Sequence, residues 1–309
     1  MPSRAPTPTH AVLLGAGAAH AALLRARAGE PNERPRLTLV ASAIAPGLTE
    51  LAHAARVEAV AAEPVAIDLH DRKLRLRGGR VIGFDLLAID GTDGLDRRLA
   101  TLERRLPDGA RVAVIASDPE TVAFTLAASR RLGGRLRLVL IAGGAGPLPD
   151  APTRAQAIMR AALVDAGVEL VHGVVPGRLH GGRLPLSDGS YIEVDAELEA
   201  RDPALDALLA DAGMATDPRG APLVRPSGRS VSHGFAFVAR RGADLDAALR
   251  RAAAGRRVRA PRAPILWAAE LDPGRALVWT SRFALAGRAV FRVRARLRRM
   301  RGDAAPGTS

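Results

Sequence analysis

Two hydrophobic rhythms run along this chain. Short, largely apolar runs recur at Ala11–Leu14, Leu37–Ala41, Phe84–Ile89, Arg111–Ala116 and Leu136–Ala142. Runs of that length and uniformity predict strands buried on both faces. Between them lie helical stretches. Ala18–Ala28 is alanine-rich, and Pro119–Leu132 follows the N-cap residues Ser117-Asp118 with proline at the first helical position. Thr153–Ala166 places Ala155, Ile158, Met159, Ala162 and Ala166 on one face, with Gly167 just beyond its end. From Glu63 to Ile89 the period drops to two: Val65, Ile67 and Leu69, then Leu74 and Leu76, with turns at His70-Asp71 and Gly78-Gly79. That predicts a small β-meander. Val168–Val175 reads as a further strand, and Leu184–Val194 as a hairpin around Ser187-Asp188-Gly189.

Strands alternating with helices predict an α/β protein with parallel sheets. A length of 309 residues suits two such domains. No apolar run reaches the roughly 18 residues of a spanning helix, and the start, with only Arg4 before an apolar run broken by glycines and His20, does not read as a signal peptide. The expected setting is the cytoplasm.

Composition changes the picture in two ways. The absence of cysteine excludes thiolate metal sites, thiol nucleophiles and dithiol redox pairs. The net charge of +13 is local: Ala247–Gly302 holds fifteen arginines against Glu270 and Asp272, so the rest of the chain is neutral. Read as a helix from Ala286, this piece puts Val290, Val293, Leu297 and Met300 on one face, as suits an anionic membrane surface. Arg292 to Arg298 also alternates with apolar residues, a strand signal, and a solvated charged cap over the core is a third reading. Nucleic acid is not expected as a specific partner, since stacking aromatics and a binding module are absent. Association into a homo-oligomer stays open.

Candidate chemistry centres on Gly15-Ala16-Gly17-Ala18-Ala19-His20, a G-x-G-x-x-H turn between a strand and a helix. Gly15 allows the sharp turn, Gly17 lets backbone approach a pyrophosphate, and the helix start offers N–H groups to an anion. A tight turn with no ligand has the same pattern. The acid expected about 20 residues on is absent, and the second strand ends in Ala41-Ser42, leaving Ser42 or backbone to hold a ribose. The seven histidines form no i, i+4 metal pair, and His20 has equal claims to function and to helix packing. Asp68, Asp71, Asp85 and Asp90 read as solvated turn acids, and Gly143–Gly146 as a linker.

Taken in order, these residues resemble the FAD-dependent pyridine nucleotide-disulfide oxidoreductase family, in particular its type II NADH dehydrogenase-like branch, also found fused to selenide water dikinase. Gly15, Gly17 and His20 match the branch's G-G-G-H-x-H turn, with Ala16 and Ala18 replacing a glycine and a histidine. Pro46-Gly47-Leu48 resembles the loop after the second strand, and Phe84–Thr92 the strand and loop beside the flavin. Gly220–Phe237, with Arg229–His233, resembles the approach to the ribityl chain. Gly274–Ala276, Gly287-Arg288 and the basic stretch to Met300 resemble the C-terminal end.

The resemblance implies two Rossmann-like three-layer domains with a β-meander and a basic C-terminal segment. Residues 1–104 with 220–258 correspond to an FAD-binding-like domain, 105–219 to an NAD-binding-like domain, and 259–309 to the basic segment. It implies FAD held by Gly15, Gly17, Ala18, Ala19, His20, Ser42, Asp90, Gly91 and Thr92, and hydride transfer from NAD(P)H. Three departures oppose full activity. Arg240-Arg241 replaces the family's ribityl-binding Gly-Asp, a cation in place of an acceptor. Asp118-Pro119-Glu120 stands where an NAD pyrophosphate would bind, so tight NAD(P)H binding is not expected. Glu199–Asp202 replaces an Ala-Thr-Gly-type loop. The expectation is an oxidoreductase-like protein with eroded cofactor motifs. A non-catalytic binding or interaction protein on the same fold is the alternative.

Overall fold

The computed structural model describes residues 10–28, 35–91, 95–116, 118–144, 146–239, 242–260 and 266–293. The chain opens with β1 (His10–Leu14), α1 (Ala18–Arg27), β2 (Arg36–Ala41), α2 (Pro46–Ala54) and β3 (Glu58–Ala61). The meander β4 (Pro64–Asp68), β5 (Lys73–Leu76) and β6 (Val81–Gly83) leads into β7 (Leu86–Ile89). Next come α3 (Leu95–Arg105), β8 (Ala110–Ala116), α4 (Pro119–Leu132), β9 (Leu136–Ala142), α5 (Thr153–Asp165) and β10 (Glu169–His172). The hairpin β11 (Arg183–Pro185) and β12 (Tyr191–Glu193) precedes β13 (Ala196–Glu199), α6 (Pro203–Asp211), β14 (Ala236–Val238) and α7 (Gly242–Ala253). Three strands follow: β15 (Trp267–Asp272), β16 (Arg275–Trp279) and β17 (Ala284–Gly287).

The chain divides into two compact units, Met1–Leu95 with Arg201–Arg262, and Asp96–Ala200 with Ala263–Ser309. In the first, a parallel sheet runs β14-β7-β1-β2-β3. Period-two burial sorts its side chains to opposite faces. Leu13, Leu39 and Phe237 pack with Leu23, Leu24 and Leu249 of α1 and α7, while Val12, Leu14, Leu87 and Ile89 pack with Leu74 and Leu76 of the meander and Leu205 and Leu209 of α6. Each such fully buried leucine contributes about 2 kcal/mol. The result is three layers: helices, parallel sheet, and meander with α6.

The second unit repeats the theme with a parallel sheet β10-β9-β8-β13. Ala113, Val139 and Ile141 pack beneath Leu184 and Val194 at the β11–β12 hairpin, and α4 and α5 meet the antiparallel sheet β15-β16-β17. The expected mixed α/β class with parallel sheets is what the chain adopts. One local expectation changes: Ala286 belongs to strand β17, and the helix starts only at residue 288, continuing through 293 within the described residues. At the start of the Arg292–Arg298 alternation, residues 292 and 293 are helical, and residues 294–298 lie outside the described residues. Leu297 and Met300 lie outside the described residues.

In both sheets the strand order reverses beside one strand. In the first unit β1 lies between β2 and β7, and in the second β8 lies between β9 and β13. The crevice at the C-terminal end of such a strand is where doubly wound folds place ligands.

Candidate functional site

The first crevice is formed by the end of β1, the start of α1 and the loop after β7. Gly15 leaves β1 with φ +100, and its N–H donates to the Val40 carbonyl at 2.8 Å. A Cβ here would overlap the carbonyl oxygen of Asp90, so glycine is required twice over, by conformation and by contact. Gly17, the N-cap of α1, is different. Its φ −75 and ψ 175 are open to any residue, yet a Cβ would fall on the carboxylate of Asp90.

Asp90 is the residue around which this turn is built. Its N–H donates to the Leu14 carbonyl at 2.9 Å, fixing the end of β7 against the end of β1. Its Oδ2 accepts from the N–H groups of Ala19 at 2.9 Å and His20 at 3.2 Å, the orphan donors of the first helical turn. The residue is 1% exposed. Asp90 is thus not a solvated turn acid, as its place in a loop suggested. Burial is tolerated because two charge-assisted bonds and the positive end of the helix compensate it.

His20 is fully buried, and its Nδ1 lies 2.8 Å from the Gly15 carbonyl. A carbonyl only accepts, so Nδ1 carries the proton and the ring fastens the first turn of α1 to the glycine loop. Nε2 is buried with no hydrogen-bond partner among the described residues. Gly91 is buried too. Its carbonyl accepts from the Asp202 N–H at 2.8 Å, and a Cβ on it would lie 3.3 Å from Leu205 Cδ2. Asp202 in turn caps α6 through the Ala204 N–H at 3.0 Å, and Arg201 forks onto Asp206 with N–O distances of 2.9 and 3.0 Å from Nε.

The structure therefore brings Gly15, Gly17, Ala19, His20, Asp90 and Gly91 into one region. Ala18 is exposed at the helix start, Ser42 is exposed one residue beyond β2, and Thr92 and Arg240-Arg241 lie outside the described residues. The Asp202 cap and the Arg201–Asp206 pair escaped the sequence reading, although Asp-Pro before an apolar run at 202–203 is the signature that was recognised at 118–119.

At the second crevice α4 is capped as the sequence predicts. Asp118 Oδ1 accepts from the Thr121 N–H at 2.8 Å and Oδ2 from the Thr121 hydroxyl at 2.7 Å. Pro119 contributes no N–H. Ser117 lies outside the described residues.

A polar loop cluster was not foreseen. Ser232 Oγ lies 2.9 Å from His233 Nδ1 and accepts from the Ala215 N–H at 3.0 Å, while Ser230 Oγ accepts from the His233 N–H at 3.2 Å. These bonds pin one loop to another and bring no carboxylate to the histidine. Among the described residues no group of three or more His, Asp or Glu is placed to hold a metal ion.

An FAD pyrophosphate at the first turn needs the Ala19 and His20 amides, the space beside Gly17 and no like charge nearby. With Asp90 in that position, the residues present do not fit it.

No protein-family model and no curated protein matches this chain. Among solved structures, the sulfide:quinone oxidoreductase of Aquifex aeolicus is similar over 94% of this chain and 90% of its own, with TM-score 0.53 and 12% identity. The ferredoxin reductase for the CYP199A2 system of Rhodopseudomonas palustris is similar over 87% of this chain and 81% of its own, with TM-score 0.50 and 15% identity. Fdr9 gives 88% and 82%, TM-score 0.51 and 15% identity. At such identities the likeness is one of fold. The chain has the fold of the FAD-dependent pyridine nucleotide-disulfide oxidoreductases.

Proposed function

We propose that this chain is a non-catalytic binding protein that keeps the oxidoreductase fold without a dinucleotide at either turn. The observation that carries the reading is the buried Asp90 carboxylate on the Ala19 and His20 amides. Two like unit charges 4 Å apart repel by about 4 kcal/mol at an effective dielectric constant of 20. That is on the order of a thousandfold in affinity against each phosphate charge brought to the same place. At the second turn Asp118 plays the corresponding part against NAD(P)H.

The test is flavin content. Protein purified without added cofactor should be colourless and should leave added FAD free after gel filtration. Stoichiometric flavin would overturn the reading in favour of a second one, an FAD-dependent oxidoreductase, which the fold alone favours. NADH titration should show no saturable complex.

An anionic membrane surface is the partner we propose. Phe283, Leu285 and Val293 are exposed, and so are Arg282, Arg288 and Arg292 among them. Fifteen arginines lie between Ala247 and Gly302, and each basic group near an anionic leaflet contributes about 1 kcal/mol. Among the described residues no helix is long and apolar enough to cross a membrane, so attachment would be at the surface and weakened by salt. The protein should co-sediment with phosphatidylserine-containing vesicles at low salt and leave them at high salt. A chain ending at Val293 keeps every described element and lacks five of the arginines, so it should bind several-fold more weakly. Equal binding by both would reassign the segment to a solvated cap, and preferential capture by duplex DNA would mark general polyanion attraction.

A further inference from the structure

The Asp90 contact suggests more than the loss of a ligand. We infer that Asp90 stands in for the ligand's phosphate: the α1 N-terminus carries its own anion, Gly17 is glycine to make room for that side chain, and a free pyrophosphate group reaches α1 only when the carboxylate is removed. This rests on the proposed absence of a dinucleotide and goes further, because it assigns the closure of the first turn to one side chain.

Three observations converge. Gly17 has a backbone conformation open to all residues, so its lack of a side chain answers to space, and the atoms that would claim that space are the carboxylate of Asp90. The carboxylate uses the same donors that an anion at a helix N-terminus uses, the N–H groups of Ala19 and His20. The rest of the cradle is present. Gly15 makes its positive-φ turn, His20 fastens that turn to the helix through the Gly15 carbonyl, and strand order reverses at β1. A cradle with its shape intact and its anion supplied from within differs from one worn away residue by residue.

The experiment compares the intact chain with Gly17→Ala, Asp90→Ala and the double variant by thermal unfolding, in phosphate-free buffer with and without inorganic pyrophosphate. Gly17→Ala should lower the midpoint by roughly 5 °C in the Asp90 background and by little or nothing in the Asp90→Ala background. Pyrophosphate should raise the midpoint of Asp90→Ala and leave that of the intact chain unmoved. If Asp90→Ala does not fold, Asp90→Ser, which keeps an acceptor for one amide, takes its place in both comparisons. Equal cost of Gly17→Ala in the two backgrounds would overturn the inference, as would an equal pyrophosphate response in both. Flavin content is read separately. Flavin in the intact chain together with the predicted Gly17–Asp90 coupling and no pyrophosphate response would overturn the proposed function and leave this assignment standing.

Discussion

The turn after β1 and the turn after β8 hold corresponding places in their sheets, and each feeds a helix capped by an aspartate. The caps are built differently. Asp118 is the N-cap of α4 and bonds Thr121, three residues on. That contact can form with the helix alone. Asp90 comes from the neighbouring strand and reaches amides 71 and 70 residues away in sequence. It is in place only when β1 and β7 are in register, with Leu14 opposite Ile89, and only if Gly15 and Gly17 carry no side chain. The same electrostatic need of a helix start is met locally in one unit and by tertiary structure in the other. A tertiary cap ties the helix to the sheet, and it also places a fixed negative charge inside the crevice.

Substitutions should separate the two arrangements sharply. The largest effect is expected for Gly15→Ala, which sets a side chain against the Asp90 carbonyl at a backbone angle that alanine avoids. A loss of about 4 kcal/mol or more belongs to this class of backbone conflict. Urea denaturation should show the variant unfolded or partly unfolded under conditions where the parent is native. Tolerance with unchanged stability would mean that the β1–β7 approach is looser than described. Next is the pair of caps themselves. Asp90→Ala leaves two amides in the α1 turn without their partner and should cost about 3 kcal/mol. Asp118→Ala removes two part-buried bonds, to one amide and one hydroxyl, both of Thr121, and should cost about 1 kcal/mol. Equal losses would erase the distinction between a local and a tertiary cap.

The same distinction decides what the sequence made legible. β1, β2, β7, β8 and β9 could be read because strands buried on both faces are apolar almost throughout, and β4 and β5 because burial of Ile67, Leu69, Leu74 and Leu76 leaves a period of two, which breaks at the exposed Val65 where the β4–β5 register shifts. The Asp118 cap is visible because donor and acceptor lie within one helical turn. The role of Asp90 is not visible, because an acid in a post-strand loop looks the same whether it faces water or a helix 70 residues back. Gly17 was legible as a required glycine but not as to its reason: room for a phosphate and room for a carboxylate impose the same residue. Pro46-Gly47-Leu48, which resembles a loop of the family, instead opens helix α2: Pro46 sits in the first turn of the helix and Leu48 and Ala52 face the core. The sheet β15-β16-β17 is hidden in the sequence by the density of arginine around its short apolar runs. Burial of Ala276, Leu277 and Trp279 is what shapes that region.

The smallest expected contrast is in pH dependence, and it again falls on the unit containing β1. His10 begins that strand, with Nδ1 at 2.7 Å from the Gly83 carbonyl and Nε2 at 2.9 Å from the Thr38 hydroxyl. Burial lowers its pKa below the ordinary 6.5, and Arg36 acts in the same direction. The Gly83 carbonyl, Asp85 and Glu58 oppose the shift without cancelling it. A histidine whose folded pKa is depressed binds its proton more readily when unfolded. Its contribution is therefore intact above about pH 6.5, declines as pH falls from there through the folded pKa, and is constant below it. Unfolding midpoints of the intact chain should fall modestly between neutral pH and pH 5. His10→Asn, which retains a donor for the Gly83 carbonyl but cannot titrate, should flatten that part of the profile while lowering stability slightly at neutral pH. An unchanged slope in His10→Asn would assign the acid sensitivity to another group and remove His10 from the account of β1.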